Sequence, residues 1–594
     1  MAVNDDQDKA GMEKLEMIRH SAAHVMAEAV QSIFPDVRFG IGPAIENGFY
    51  YDFDLPRPLT PDDLPLIEAK MSEIIASNIV FIREEVTKDE AKRVFAAQPY
   101  KLELIDELTD EKIGLYRQGS FVDLCRGPHI ESAKEIPTDA FKLDKIAGAY
   151  WRGSEKNLML QRIYGLVFRS KEELDEYLRI REEIKKRDHR RIGKDLDLFV
   201  FSDLVGKGLP LFTERGSIIR RELERFIVDE EINRGYKHVY TPDLANLELY
   251  KTSGHYPYYK SLMYPVMRVE DEELMLRPMT CPHHFELYAS KVRSYRELPF
   301  RVAELAKQFR YEKSGELTGL MRVRTFCLAD SHIICQQDQA MYEIKGVLDL
   351  IEYVASVLGL DTGVNYRYRL SLGDRKDDTK YYKDDEAWDI AEDVLREVLI
   401  QREANYFEAE KEAAFYGPKI DIQVKNFAGK EDTLFTVQYD FVMPKRFKLS
   451  YVDRDQKERE PIVIHRSSVG AIERTMAFLI EHYAGAFPVW LAPVQVIVVP
   501  IADRHLDYAR KIETEFGNVG IRVKVDDRSE RINLKIRQAQ LDKIPYMMVV
   551  GDKEVAASTV SVRLRDGTQL SSQSLDNFKK TVREDITNKI RDTK

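Results

Sequence analysis

The sequence predicts a multidomain protein of mixed α+β and α/β class. Its 594 residues exceed what one hydrophobic core usually holds, since domains commonly contain about 100 to 150 residues. Helical and strand-like patterns are intermixed up to Leu491, whereas strands and helices alternate regularly after Pro493. We expect an α+β domain over residues 1–169, a linker helix over 170–194, a central domain over 195–491 and an α/β domain over 492–594.

The N-terminal segment combines one helix with short aromatic strands. We expect the helix to begin at His20 and the strands to include Gly48–Phe53 and Ala147–Trp151. The following stretch, Ser170–Lys194, places acidic and basic side chains at helical spacing and contains no glycine or proline before Gly193. The basic residues near the C-terminal end of this stretch fit a solvated linker helix and an RNA-facing surface equally well, and one helix can be both.

The central segment has long helical patterns among strands rich in aromatic and β-branched residues. The expected helices are Ser217–Asn233, Gln339–Leu358 and Asp385–Glu403, and the expected strands include Phe435–Phe441, Lys448–Val452 and Pro461–His465. Strand runs that follow one another without a long helix favour an antiparallel sheet, flanked here by the helices.

The C-terminal segment alternates strand and helix. The pattern predicts strand Val494–Val499, helix Leu506–Phe516, strand Ile521–Val525, helix Arg531–Asp542 and strand Tyr546–Val550. Such βαβαβ order predicts a parallel core and a separate small α/β domain.

Composition excludes several classes of protein. Hydrophobic residues at 44% and charged residues at 32% are ordinary globular values, and a net charge of −11 disfavours a chain that coats nucleic acid by bulk charge. Prolines interrupt the longest apolar stretch, Phe487–Ala502, which is shorter than the roughly 20 residues of a membrane span. The first residues are polar and acidic without an apolar signal region. We expect no membrane association and a cytoplasmic location.

Two pairs of potential ligands recur at a spacing of four residues in the first segment. His20 and His24 share one face of the predicted helix, and Cys125 and His129 flank a turn that Gly127 and Pro128 require. If the pairs meet, three imidazoles and a thiol line one pocket. The residues alone allow a closed structural zinc site or a hydrolytic site that positions and deprotonates water.

A third set of potential ligands is scattered through the central segment. Cys281, His332 and His465 are single residues, and each alone is compatible with a place in the core. Short apolar segments near them carry arginines at positions 310, 322, 324 and 474. Arginine in such segments is costly unless it meets an anion, so the cluster favours a polyphosphate ligand.

These motifs resemble a known family. Phe309-Arg-Tyr-Glu312 and Gly470-Ala-Ile-Glu-Arg474 look like motifs 2 and 3 of class II aminoacyl-tRNA synthetases, and the helix from Ser217 to Gly235 before Tyr240-Thr-Pro242 resembles motif 1. Within this class, the chain resembles the threonyl-tRNA synthetase family from about His20 to Arg565. The segments that carry this finer resemblance are Met279-Thr-Cys-Pro282, Gly319-Leu-Met-Arg-Val-Arg324, Phe415-Tyr-Gly-Pro-Lys419, Val437-Gln438, His20-Ser-Ala-Ala-His24 and Cys125-Arg-Gly-Pro-His129.

The resemblance implies a catalytic domain that uses ATP with Mg²⁺ and one Zn²⁺ per chain. By this resemblance the zinc ligands are Cys281, His332 and His465. Arg310 would hold the α-phosphate, Arg322 and Arg474 the γ-phosphate, and Glu312 the adenine side. Lys419 joins Arg310 and Arg474 in the catalytic set, and the residues that would bind the amino acid are Asp330, Tyr416 and Gln438.

The resemblance also implies an editing domain, an anticodon-binding domain and a homodimer formed through the motif 1 helix. Zinc that binds a hydroxyl group excludes valine but accepts serine. A second site is therefore required, one that hydrolyses tRNA mischarged with serine. That need favours the hydrolytic interpretation of the first cluster. The editing set is His20, His24, Cys125, His129, Asp123 and Lys101, and Glu554 and Arg563 would contact anticodon bases of tRNA(Thr).

Three departures from the family pattern stand out. The chain begins at the editing-type domain, so we expect it to lack the ubiquitin-like N-terminal domain of many bacterial relatives. Leu328-Ala-Asp-Ser-His332 replaces the usual Gln-Asp-Asp-Ala-His, and His283 replaces a glycine. Two alternatives are an RNA-binding protein that has lost activation and a prolyl or seryl synthetase. The intact arginines disfavour the first, and the zinc set joined to the editing motifs disfavours both.

Overall fold

The computed structural model describes residues 2–427 and 429–591, with residues 2–10 described by backbone alone. The chain forms two compact units, Met1–Glu183 and Ile184–Lys594. The predicted multidomain α+β and α/β class is confirmed. No helix among the described residues is long and apolar enough to cross a membrane. The predicted domain boundaries at 169, 194 and 491 stay predictions.

The first unit contains four helices, the start of a fifth, and eight strands among the residues described. The helices are α1 Ala2–Ile33, α2 Asp63–Ala76, α3 Lys88–Val94, α4 Pro99–Glu107 and α5 Lys171–Arg187, which continues into the second unit. The strands are β1 Arg38–Phe39, β2 Ala44–Ile45, β3 Gly48–Asp54, β4 Ile82–Thr87, β5 Lys112–Gln118, β6 Phe121–Leu124, β7 Phe141–Tyr150 and β8 Met159–Val167.

Helix α1 packs on an antiparallel sheet of the first unit, in which β1, β3, β8 and β7 are neighbours. Small side chains let helix and sheet approach closely, since Ala22, Ala23 and Ala29 are fully buried beside Met26 and Val30. Strands β4, β5 and β6 form a second antiparallel sheet. This packing fixes the helical pair His20 and His24 against β6, and the Cys125 turn follows β6 directly.

The central part of the second unit holds most of its elements. Its helices are α6 His189–Asp195, α7 Glu214–Asn233, α8 Leu247–Ser253, α9 His255–Tyr258, α10 Cys281–Ala289, α11 Ala340–Val357, α12 Asp385–Gln401, α13 Met443–Arg446 and α14 Ile472–His482. Its strands are β9 Phe199–Val200, β10 Leu211–Phe212, β11 Lys237–His238, β12 Leu244–Asn246, β13 Met267–Val269, β14 Glu272–Leu276, β15 Phe300–Phe309, β16 Thr325–Cys335, β17 Tyr366–Ser371, β18 Tyr406–Ala409, β19 Lys419–Lys425, β20 Glu431–Asp440, β21 Tyr451–Val452, β22 Glu458–Arg459 and β23 Ile462–Ala471.

An eight-stranded sheet organises this part, in the order β11-β15-β16-β23-β20-β19-β17-β18. The pairs from β15 to β17 are antiparallel, and only the edge strands β11 and β18 pair in parallel. Helices α11, α12 and α14 supply apolar faces to the core, with Ile344, Leu395 and Leu479 fully buried. A rigid sheet of this kind is a suitable platform for a site, because it fixes the direction of each side chain.

The C-terminal part has the predicted βαβαβ order. It contains β24 Val496–Pro500, α15 Leu506–Gly517, β25 Val523–Val525, α16 Ile532–Leu541, β26 Tyr546–Val550, α17 Asp552–Ala557, β27 Thr559–Leu564, β28 Gln573–Ser574 and α18 Leu575–Thr587. Strand β24 pairs in parallel with β25 and β26, and β27 adds an antiparallel edge.

Three local predictions were wrong. Helix α1 begins at Ala2 rather than His20, and the predicted linker helix is two helices, because Asp188 caps α6 by accepting the N–H of Arg190. The predicted strand Lys448–Val452 is reduced to β21, which pairs with β22 instead of the large sheet. Helix α13 and the left-handed backbone of Lys448 (φ 52°) interrupt the extended chain there.

Candidate active sites

One transverse row of the large sheet collects polar side chains from four neighbouring strands. His332 on β16 is paired with His465 on β23, His465 with Gln438 on β20, and Gln438 with Lys419 on β19. Residues paired across strands point to the same face of a sheet, and all four line one cavity. The sequence separates these residues widely, and the strand register brings them together.

Cys281 completes a three-residue ligand set with His332 and His465. One donor atom from each residue lies within 4.8 Å of the others, and all three residues are buried. Cys281 is the first residue of α10, which places its side chain over the sheet. The Nε2 of His465 contacts Asp440 Oδ2 at 2.6 Å, and the Nδ1 of His332 lies 2.8 Å from the Nδ1 of His284. Each imidazole therefore has one nitrogen engaged and one left for a ligand.

The chemistry of this donor set fits a divalent metal. Burial lowers the pKa of His332 well below its usual value, which keeps the imidazole neutral as a metal requires. Burial, with Asp330 and Asp440 nearby, raises the pKa of the Cys281 thiol well above its usual value. A thiol in this position ionises only when a cation is bound to it. One thiolate and two imidazoles leave a coordination position open, the pattern of a reactive zinc site.

The cavity around this set has a volume of about 580 Å³. The predicted substrate and catalytic residues that line it are Arg310, Asp330, Tyr416, Lys419 and Gln438. Tyr416 donates its hydroxyl to Gln438 Oε1 at 2.6 Å, and Lys419 lies 2.9 Å from the carboxylate of Asp421. Burial lowers the pKa of Arg310 and raises the pKa of Asp330. A partly buried guanidinium in an open cavity favours an anionic ligand.

The other predicted ATP-binding residues lie together near Arg310 but outside the cavity lining. Arg322 donates to Glu312 at 2.9 Å, and the positive charge of Arg474 acts on Arg310. Arg474 also donates to the carbonyl oxygen of Met321 at 3.3 Å. The structure thus brings Arg322 and Arg474 close to Arg310.

The predicted editing residues meet in the first unit. Donor atoms of His20, His24, Cys125 and His129 all lie within 4.8 Å of one another. The Sγ of Cys125 is 3.3 Å from the Nε2 of His20 and 3.3 Å from the Nε2 of His129. The Nδ1 of His129 is 2.9 Å from Ser21 Oγ. These distances are compatible with both interpretations that the residues alone allow, a structural zinc site and a hydrolytic site.

Protonation of this cluster is controlled by burial. Burial lowers the pKa of His20, of His24 and, with the charges of its two histidine neighbours, of His129. Burial also raises the pKa of Cys125 to about 11. Near neutral pH the cluster therefore contains three neutral imidazoles and a protonated thiol, which suits proton acceptance from water better than attack by a thiolate.

A buried charge pair lies beneath the histidines. Asp123 forms an ion pair with Lys101, and both residues are at most 3% exposed. Tyr51 donates its hydroxyl to Asp123 Oδ2 at 2.6 Å, and the Nε2 of His24 is 3.5 Å from the same oxygen. These contacts join the two weaker candidates, Lys101 and Asp123, directly to the cluster.

The predicted anticodon residues lie close together in the C-terminal part. Glu554 accepts the hydroxyl of Ser561 at 2.8 Å, and Arg563 follows Ser561 by two residues on β27, so both point to the same face. The Nε of Arg563 is buried and has no hydrogen-bond partner among the described residues.

Sequence reasoning missed several polar residues at these sites. His255 lies buried in the wall of the large cavity with its Nδ1 2.7 Å from Ser253 Oγ. His284 and Asp440 contact the histidines of the ligand set, and Tyr51 contacts Asp123. Only His284 had a visible signal, its position three residues after Cys281, because the other contacts depend on tertiary pairing.

Family models match three segments of the chain. Residues 264–483 match the tRNA synthetase class II core domain (G, H, P, S and T), and residues 495–585 match an anticodon binding domain. Residues 113–164 match the threonyl and alanyl tRNA synthetase second additional domain.

Whole-chain relatives agree with these matches. A threonine–tRNA ligase of Geobacillus sp. (strain WCH70) is 52% identical over 570 residues, covering 95% of this chain and 88% of the relative. The threonine–tRNA ligase of Geobacillus kaustophilus is 52% identical over 581 residues, covering 97% of this chain and 88% of the relative. Among solved structures, the RNA binding domain of threonyl-tRNA synthetase from Cryptosporidium parvum Iowa II aligns with a TM-score of 0.64 at 35% identity, covering 67% of this chain and 98% of that one.

Proposed function

The chain belongs to the family of threonine–tRNA ligases, and we propose that it attaches threonine to tRNA(Thr) through a threonyl-adenylate made from ATP. The observation that carries the proposal is the large cavity, where the ligand set Cys281, His332 and His465 faces Arg310 and Gln438. A metal-type donor set beside a partly buried cation suits a substrate that carries a hydroxyl group and is joined to a phosphate.

Activation requires the threonine carboxylate to attack the α-phosphate of ATP, although both groups are negative. We assign Arg310 to the α-phosphate and the attacking carboxylate, since it is the motif arginine that lines the cavity. Arg322 and Arg474 would bind the γ-phosphate, and Glu312, which already accepts Arg322, would face the adenine. ATP would enter as its Mg²⁺ complex. Lys419 adds a positive charge near the transferred group.

Selection of threonine over valine is the harder problem, because a hydrophobic pocket separates such near-isosteres by only ~1–3 kcal/mol. Zinc held by Cys281, His332 and His465 would supply a Lewis-acidic position for the amino and hydroxyl groups of the substrate. The residues around it orient the amino acid: Asp330 and the bonded pair Tyr416 and Gln438 lie in the same wall. Valine lacks the hydroxyl and is rejected, whereas serine is accepted.

Serine acceptance makes hydrolytic editing necessary, and we assign it to the first unit. Of the three neutral imidazoles, His20 is the best suited to accept a proton from the water that attacks the ester of seryl-tRNA, because burial lowers the pKa values of His24 and His129 much further. Cys125 bridges two of these rings by its Sγ contacts. The carboxylate of Asp123, which is ion-paired with Lys101, lies 3.5 Å from Nε2 of His24 and would hold that ring in place.

Recognition of tRNA and assembly complete the proposal. Glu554 and Arg563 on the C-terminal part would contact anticodon bases through paired hydrogen bonds. Family membership, together with the motif 1 helix α7, is the basis for proposing a homodimer, and family membership is likewise the basis for proposing a cytoplasmic location.

Aminoacylation of purified tRNA(Thr) tests this function. With ATP and labelled threonine we expect stable threonyl-tRNA to accumulate, and with labelled serine we expect ATP consumption without accumulation, because seryl-tRNA is hydrolysed. Stable charging with proline or serine in place of threonine would assign the chain to another specificity. A protein that binds the tRNA but charges none of the three would be the inactive RNA-binding alternative.

A further inference from the structure

His189 lies buried at the start of helix α6, and both of its ring nitrogens are engaged. Its Nε2 is 3.1 Å from the backbone nitrogen of Leu320, and its Nδ1 is 2.7 Å from Oε1 of Glu481. A backbone N–H can only donate, so Nε2 is the unprotonated acceptor. The ring proton therefore lies on Nδ1 and is donated to Glu481, which fixes the tautomer of His189.

The same residues have the spacing of a cation site, but their donor atoms are used. Asp188, His189 and Glu481 offer ligand atoms within 4.8 Å of one another. The carboxylate of Asp188 accepts the backbone N–H and the guanidinium of Arg190. Because His189 has no free nitrogen, this cluster is a hydrogen-bonded junction and not a metal site.

The partner of His189 is the apex of a tight turn, Thr318–Arg322. The N–H of Thr318 donates to the carbonyl of Arg322 at 3.2 Å, and the N–H of Met321 donates to the carbonyl of Thr318 at 2.9 Å. Gly319 has a φ of +49°, and a Cβ on it would lie 2.1 Å from Nε2 of His189. The turn and the imidazole therefore fit together only with glycine at this position.

The two arginines assigned to the γ-phosphate both depend on this turn, one as its last residue and the other through a hydrogen bond to its backbone. Arg322 ends the turn and donates to Glu312, and the carbonyl of Met321 accepts Nε of Arg474. Arg474 lies in the first turn of α14 and Glu481 in its last turn. His189 therefore links the C-terminal end of α14 to the same turn that Arg474 contacts from the N-terminal end.

We propose that His189 is a positioning residue for ATP: by accepting the N–H of Leu320, it holds the Thr318–Arg322 turn so that Arg322 and Arg474 face the same phosphate. This inference rests on the proposed function. His189 does not line the cavity around the ligand set, and the predicted zinc ligands Cys281, His332 and His465 lie on other elements. Loss of the Leu320 contact leaves a buried N–H without a partner and frees the turn.

Three substitutions of His189 separate its two hydrogen bonds. A glutamine carbonyl oxygen reaches the place of the imidazole Nε2, whereas an asparagine amide reaches only that of Nδ1. His189→Gln therefore keeps the Leu320 contact, His189→Asn keeps only the Glu481 contact, and His189→Leu keeps neither. Arg191→Gln is the control, since Arg191 is on the same helix with a side chain 64% exposed.

The assay is ATP–pyrophosphate exchange by the intact 594-residue chain without tRNA, with separate titrations of ATP and threonine. We expect His189→Leu and His189→Asn to raise the KM for ATP about tenfold, with the KM for threonine within twofold of wild type. His189→Gln should recover most of the loss, and Arg191→Gln should match wild type. If His189→Leu does not fold, the comparison of His189→Gln with His189→Asn carries the test.

An unchanged KM for ATP in His189→Asn would overturn the inference, and so would a parallel rise of both KM values that glutamine does not rescue. Failure of the wild type to exchange pyrophosphate with threonine would overturn the proposed function instead, which separates the two results.

Discussion

The buried pair of Asp123 and Lys101 gives a sharp prediction about the first unit. Asp123→Asn preserves the shape of the side chain and removes its charge, which leaves the Lys101 ammonium, 2% exposed, without an anion. Removal of one partner of a buried pair costs about 3–5 kcal/mol. The hydroxyl of Tyr51 remains 3.1 Å from Nζ of Lys101, but it cannot neutralise the charge. We therefore expect a local loss of stability of this size.

The double variant Asp123→Asn, Lys101→Met tests the cause. Removal of both charges leaves no unpaired ion, and such replacements are often close to neutral. We expect the double variant to be more stable than Asp123→Asn alone, a non-additivity typical of residues in direct contact.

Hydrogen exchange measured by mass spectrometry on the full chain provides the assay, because opening energies are resolved by segment. Slow amides of β5 and β6 should exchange about 10²- to 4 × 10³-fold faster in Asp123→Asn, since each 1.4 kcal/mol is tenfold. Amides of β24 and β26, in the C-terminal part, serve as the internal control and should not change. Unchanged exchange in β5 and β6, or a double variant less stable than the single one, would refute the reasoning.

Three further predictions concern the sites themselves. Cys281→Ala should lower the zinc content from one per chain to near zero and abolish discrimination against valine; elemental analysis with exchange assays checks it, and full zinc content would exclude Cys281 as a ligand. Arg310→Ala should reduce adenylate formation by about 10²–10³-fold, the usual effect of losing one preorganised charge contact. Arg296→Ala, at an exposed arginine, is the control and should not reduce it. Normal pyrophosphate exchange in Arg310→Ala would show that Arg310 does not bind the reacting phosphate. His20→Ala with His24→Ala should leave threonine activation intact and let seryl-tRNA persist; deacylation of pre-charged seryl-tRNA measures this, and wild-type rates would favour the structural-zinc alternative for the cluster.

Much of the architecture could be predicted because it depends on local pattern. The C-terminal βαβαβ order follows from short-range periodicity, and β26 was predicted with its observed bounds, Tyr546–Val550. The strand at Lys448–Val452 failed for a tertiary reason: β20 pairs directly with β23, which leaves no place for it in the large sheet.

The site shows the same division between local and long-range information. His20 with His24, and Cys125 with His129, have spacings that are visible in the sequence. The row of His332, His465 and Gln438 depends on strand register, and the sequence indicated it only through the family resemblance. Tyr51 contacts Asp123 across 72 residues of chain, and His189 contacts Leu320 across 131, so no local pattern could indicate either contact.

The most direct test of the central claim is ATP–pyrophosphate exchange by the wild-type protein with threonine, serine and valine side by side. A cavity that selects a β-hydroxyl group through Cys281, His332 and His465 predicts strong exchange with threonine, measurable exchange with serine and almost none with valine. Exchange with valine comparable to that with threonine would contradict selection by a metal-bound hydroxyl, and the absence of exchange with all three would contradict a threonine-activating site.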